Sequence, residues 1–134
     1  MNGVAVYKLR TGGLVNVCFR QESKYYQDRL QMCREYEELG KLVSCVITNN
    51  EEIFYKARLK AMLMELRNTV ILNAEWLADV KAHCPQEVVE QTIRLIGENE
   101  ERLMKRVAIR CSSLIMRDIP IEDELAIECY NYFN

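Results

Sequence analysis

Residues 59–80 read LKAMLMELRNTVILNAEWLADV, and the spacing of their apolar side chains decides the fold. Leu59, Leu63, Leu66, Val70, Asn73, Leu77 and Val80 step by 4, 3, 4, 3, 4 and 3 residues. That alternation makes one face of an α-helix apolar, with Asn73 as its only polar position. Met62 and Ile71 lie beside the seam and widen it, which predicts burial in a bundle rather than a narrow two-stranded seam. Upstream, Thr48-Asn49-Asn50-Glu51-Glu52 reads as a helix start, with Asn49 as the cap and Glu52 three residues on. The helix is expected to run to about Ala82.

His83-Cys84-Pro85 interrupts the pattern, and proline is tolerated in a first helical turn. A second stripe follows: Val89, Ile93, Ile96, Glu100, Leu103, Val107, Cys111 and Leu114. Gly97 falls inside it, costs about 1 kcal/mol relative to alanine, and is the place where a bend would fall if the helix kinks. If the two helices run antiparallel about Cys84, Lys60 lies level with Ala108. Glu100 then lies near Asn68 and Arg67, where a half-buried ion pair would accommodate it. A helix of about 30 residues spans roughly 45 Å. A globule of this length has a diameter of roughly 36 Å. Either the helices kink or the molecule is elongated, and an elongated hairpin leaves apolar surface for a second copy or another protein to cover. A homodimer is therefore expected.

The first twenty residues predict a β-hairpin. Val4 to Arg10 and Leu14 to Arg20 are rich in β-branched and aromatic residues. Thr11-Gly12-Gly13 between them reads as a three-residue loop with Gly13 supplying the positive φ. Pairing Arg10 with Leu14 sets Leu9 opposite Val15, Tyr7 opposite Val17 and Ala5 opposite Phe19, all on one face. Glu22 to about Leu39 reads as a helix through Tyr26, Leu30 and Cys33, with Gly40 as its stop. Residues 42–47 are apolar and too short for periodicity to decide; a third strand is favoured because a lone hairpin is marginal. Beyond Asp118-Ile119-Pro120, Ile121 to Phe133 is expected as a short last helix. The fold class expected is therefore α+β and predominantly helical. A hairpin, or a three-stranded sheet with 42–47, packs on a bundle of two long antiparallel helices and a short C-terminal one. No linker, repeat or low-complexity tract divides residues 1–134, which read as one domain.

Composition narrows function. The chain has 134 residues, 18 Lys+Arg, 20 Asp+Glu and a formal net charge of -2. That balance argues against a protein basic all over, yet it hides a switch. Arg102, Lys105, Arg106, Arg110 and Arg117 occupy 102–117 without an acid. Asp118, Glu122, Asp123, Glu124 and Glu128 occupy 118–134 without a base. With the helices antiparallel, Lys56, Arg58 and Lys60 fall beside Lys105, Arg106 and Arg110. Either the acidic last helix folds back and neutralises the basic stretch, or the basic end binds an anionic partner or nucleic acid. The candidate binding residues are Lys56, Arg58, Lys60, Arg102, Lys105, Arg106 and Arg110. Trp76, Tyr130, Tyr132 and Phe133 are the candidate interface residues, because exposed aromatics favour protein contacts.

Catalytic chemistry finds little support. His83 is the single histidine, and no phosphate loop, HExxH or GxSxG motif is present. The six cysteines have wide spacings without a CxxC pair, so they read as reduced, mostly buried thiols rather than disulfides or metal ligands. No catalytic residue, metal or cofactor is assigned. No apolar run approaches the ~18 residues of a membrane span. Without a signal-peptide layout, an intracellular protein is expected: cytoplasmic, or in host cytoplasm or nucleus for a viral one. The leading expectation is a small non-enzymatic protein-binding accessory, regulatory or inhibitory factor, of viral or phage type. The alternatives are a nucleic-acid-associated factor using the basic hairpin end, and a small enzyme with an unrecognised site.

Overall fold

The computed structural model describes residues 1–134. In chain order its elements are β1 (Gly3–Leu9), β2 (Leu14–Phe19), α1 (Tyr26–Leu39), β3 (Gly40–Ile47), α2 (Glu51–His83), α3 (Gln86–Ile115) and α4 (Glu124–Phe133). The architecture is α+β and mostly helical. An antiparallel three-stranded sheet, in the order β2-β1-β3, meets a long antiparallel helical hairpin. Residues 42–47 do form a strand. It pairs with β1 on the side away from β2, which makes β1 the central strand and buries it.

Because β1 is central, both of its faces need cover. Ala5 and Tyr7, with Val17 and Phe19 of β2, point to α1 and pack on Cys33, Tyr26, Leu30 and Tyr36. Val4 and Val6 point the other way, into the main core. There they join Phe54, Met62 and Leu66 of α2, Leu103, Val107 and Cys111 of α3, and Ala126 and Cys129 of α4. Burying a leucine- or methionine-sized side chain contributes about 1.5–3 kcal/mol, so this second face carries most of the apolar stabilisation.

The hairpin register differs from the expected one by two residues. Tyr7 pairs with Val15, Ala5 with Val17 and Gly3 with Phe19. The loop is Arg10-Thr11-Gly12, closed by Leu9 N–H to the Gly13 carbonyl at 2.9 Å, and Gly12 rather than Gly13 takes the positive φ of 94°. A slip of two keeps every side chain on its face. It also lays the Phe19 ring across Gly3, whose Cβ position would otherwise be filled. Helix starts shift as well. α1 opens at Tyr26 after a turn, and α4 opens at Glu124. Asn50, not Asn49, caps α2, accepting the Ile53 N–H at 3.0 Å.

The helical hairpin keeps the expected alignment: Arg110 Nη1 donates to the Arg58 carbonyl at 2.7 Å, two residues from the Lys60/Ala108 level. Glu100, however, meets Asn73 at 2.9 Å rather than Asn68 or Arg67. Side chains lean toward the N-terminus of their own helix. In an antiparallel pair the two leans add, which carries Glu100 about one turn further. Asn68 instead donates to the Gly12 carbonyl, and Arg67 pairs with Asp123 at 2.9 Å. Gly97 lies within an uninterrupted α3. Burial is uneven along the hairpin. After Leu66 the only buried residue of α2 is Val80, while Val70, Ile71, Trp76, Ile93 and Leu95 stand exposed.

Three glycines should respond differently to alanine. Gly97 has open space around its Cβ position, so Gly97→Ala should stabilise by about 1 kcal/mol. At Gly3 the Cβ would strike Phe19, and at Gly40 the Lys8 carbonyl, so either alanine should destabilise by about 1–3 kcal/mol. Urea unfolding of the three variants checks the signs.

Candidate functional site: an arginine cleft

Four segments converge beside Tyr55. Arg20 follows β2, Arg29 sits on the first turn of α1, Arg58 on α2, and Arg106 and Arg110 on α3. Together they line a cleft of about 390 Å³ that also takes in Asn16, Ser23, Tyr25, Phe54 and Tyr55. No carboxylate lines it. The acid that touches the cluster is Glu51, at 2.9 Å from Arg20. Arg29, Arg58, Arg106 and Arg110 have no carboxylate within ion-pair distance.

Aromatic groups do the work that acids would do elsewhere. Tyr55 is buried, and its hydroxyl accepts from Arg20 Nη1 at 2.6 Å and from Arg117 Nη2 at 2.8 Å. The Arg117 guanidinium lies 3.7 Å from the Tyr55 ring centre, with Arg58 at 5.5 Å and Arg20 at 5.6 Å. Arg20 also lies 5.3 Å from the Phe54 ring. Each such contact contributes about 0.5–2 kcal/mol and, unlike a carboxylate, neutralises nothing. The guanidiniums are thus ordered, and of those lining the cleft only Arg20 has its charge met by a carboxylate, that of Glu51.

Arg110 is the innermost cation. Its Nη1 donates to Asn16 Oδ1 at 3.0 Å and to the Arg58 carbonyl, and Asn16 in turn donates to Glu65 at 2.7 Å. Burial holds the Arg110 pKa below the usual arginine value. The like charges of Arg58 and Arg106 lower it further, against the opposing influence of Cys18 and Glu65.

The structure divides the seven basic residues singled out by sequence. Arg58, Arg106 and Arg110 come together in the cleft. Lys56 and Lys60 lie on the other side of α2, beside Pro120, Glu122 and Asp123, and Lys56 approaches Glu52 at 3.9 Å. Arg102 sits one turn before Arg106, near Glu98 and Asn99, and Lys105 is exposed. Arg20 and Arg29 join the three in the cleft, although nothing in their sequence surroundings marks them. They belong to no basic run, and only the packing of α1 and β2 against α2 brings them in. The acidic last helix does not neutralise the basic stretch. It packs on α3 through Ala126 and Cys129, and its ion pair is made by Asp123 with Arg67.

No protein-family model, curated protein or solved structure matches the chain. Of the aromatic candidates, Tyr130 packs against the core, Phe133 is half-buried, and Trp76 and Tyr132 are exposed. All six cysteines are free thiols. Cys33, Cys111 and Cys129 are buried, and burial raises each pKa, that of Cys111 to about 11. Cys45 and Cys84 are exposed, contrary to the expectation of mostly buried thiols, because one lies on the edge strand and the other at the helical turn. His83 bonds to Asp79 at that same exposed turn, about 37 Å along α2 from Arg58 at 1.5 Å per residue.

Tyr55→Phe should cost about 1–2 kcal/mol, because it removes the acceptor for two guanidiniums. Tyr55→Leu should cost more, since the stacking is lost too. Arg106→Gln should leave stability unchanged or raise it by up to about 0.5 kcal/mol, relieving like-charge repulsion at an exposed position. Thermal unfolding at low salt measures all three; a large loss for Arg106→Gln would refute the picture of uncompensated charge.

Proposed function

We propose that this protein is a non-enzymatic binding factor that engages a nucleic acid through the arginine cleft. The observation that carries the reading is five convergent guanidiniums, four of which, Arg29, Arg58, Arg106 and Arg110, have no carboxylate partner. Keeping like charges together is unfavourable without an anion to receive them. Arginine is also the side chain whose planar fork matches phosphate. The cations continue past the cleft: Arg102, Arg106 and Arg110 recur every 4 residues, which places them along one side of α3, and Arg117 follows in the turn beyond its end. A row of that kind suits a repeating phosphate backbone. Specificity for sequence is not built into such a site, since phosphate contacts position without reading bases. Nothing in the cleft combines a nucleophile with a base, which favours binding over catalysis.

A second reading rests on a different observation. A shallow apolar groove of about 410 Å³, lined by Leu66, Val70, Ile71, Met104 and Leu125, runs along the helical hairpin away from the cleft. Exposed Trp76 and Ile93 stand further out. Such surface favours a protein partner, a second copy included. Light scattering on the purified chain addresses it: a dimer that Ile71→Glu returns to monomer supports this reading, and a monomer at all concentrations removes the second copy.

For the main reading, a labelled single-stranded oligonucleotide should bind at low salt. With about four phosphates neutralised, affinity should fall about fifty-fold between 50 and 200 mM salt. Replacing the exposed pair Arg29 and Arg106 by glutamine should weaken binding at least tenfold without unfolding the chain. Fluorescence anisotropy reads both, and absence of binding at 50 mM salt would sink the proposal.

A further inference from the structure

The cleft has a floor. Phe54 and Tyr55 are buried beneath it, and Asn16 on its inner wall backs directly onto the core residue Met62, 3.8 Å away. A continuous backbone can lie across such a mouth but cannot pass through it. The side chains inside are donors in excess. Arg110 spends Nη1 on Asn16 and the Arg58 carbonyl, and its Nε and Nη2 make no hydrogen bond within the protein. The guanidiniums of Arg58, Arg29 and Arg106 make none either, while the Asn16 and Tyr55 oxygens are already taken by arginines. The complement of this interior is a compact, acceptor-rich group with more than one negative charge.

We propose that the cleft seats the terminal phosphate of a nucleic-acid strand, with the following nucleotides lying along α3 past Arg106 and Arg102. The inference rests on the nucleic-acid reading above and specifies which part of the strand enters. A phosphomonoester carries about −1.5 to −2 charges at pH 7 and offers three strong acceptor oxygens. A backbone diester carries one charge and has two free oxygens. Only the monoester is at once an end, which a floored cleft requires, and a dianion, which convergent arginines favour. Arg110 is held from behind by Asn16 and the Arg58 carbonyl, so its remaining N–H groups meet the phosphate with little conformational cost. Outside the mouth, Arg102 and Lys105 supply single charges suited to successive diesters.

The test compares one ten-nucleotide strand with a 5′-phosphate, a 3′-phosphate or hydroxyl ends. A nucleoside 5′-monophosphate and a phosphoserine peptide serve as separate ligands. One phosphorylated strand is expected to bind at least tenfold tighter than the hydroxyl strand. Arg106→Gln should abolish that gain, and Arg110→Lys should do so where the variant remains folded by circular dichroism. Replacing Arg102 and Lys105 by glutamine should weaken all three strands by the same factor and leave the gain intact. Equal affinity of the three strands overturns the terminal-phosphate inference while the nucleic-acid reading survives. Failure of every strand to bind overturns both. A monophosphate that binds as tightly as the phosphorylated strand makes a free nucleotide the ligand instead. Tighter binding of the phosphopeptide replaces nucleic acid by protein as the source of the phosphate.

Discussion

The Arg110 guanidinium ties three parts of the molecule together through one nitrogen. It reaches from α3 to the Arg58 carbonyl of α2 and to Asn16 of β2. The first contact fixes how the two long helices are aligned. The second docks the sheet on them. Asn16 extends the link to Glu65, so β2 is held to α2 as well. A cation placed this deep loses hydration, and burial accordingly pulls its pKa down. The loss is offset here by neutral acceptors, one of them a main-chain carbonyl, rather than by a buried ion pair. Net charge is therefore retained where a paired arrangement would have cancelled it.

Much of this fold follows from residue spacing, and the departures have physical causes. The apolar seams of α2 and α3 were readable because period and length agreed. The face of the hairpin that packs on α1 was readable from alternation, yet its register was not. Two adjacent glycines allow two loops, and a slip of two preserves every face. The fit of Phe19 over Gly3 distinguishes the registers, and that is a contact between strand ends. Asn73 and Glu100 were both visible as polar interruptions of the seams. That they partner each other depends on the lean of side chains along antiparallel helices, which spacing alone does not convey.

The candidate site was legible in half. Arg58, Arg106 and Arg110 stood in a segment without compensating acids, and antiparallel alignment put them side by side. Arg20 and Arg29 stand close to Glu22 and Asp28 in sequence, outside any basic run. Their role comes from topology, because the end of β2 and the start of α1 both arrive at the first turns of α2. Lys56 and Lys60 made the opposite error plausible. They are near Arg58 in sequence, but a helix turns 100° per residue, and they emerge on another side. Tyr55 gave no signal at all. It lies one turn before the seam that opens at Leu59, and it is core; its hydroxyl and ring also organise three arginines.

The unequal burial along α2 separates the molecule's two exposed chemistries. Arg58, in the cleft, and Trp76, on the outer half, stand 18 residues apart on one helix. At 1.5 Å per residue that is about 27 Å, set by a rigid rod rather than a flexible tether. Ligands bound at the two places would not compete for space. An assembly that presents both an anionic group and an apolar surface at that distance would meet them as a bivalent pair. Its second contact would then form at an effective concentration fixed by the helix, so two individually weak contacts could add up to a long-lived one.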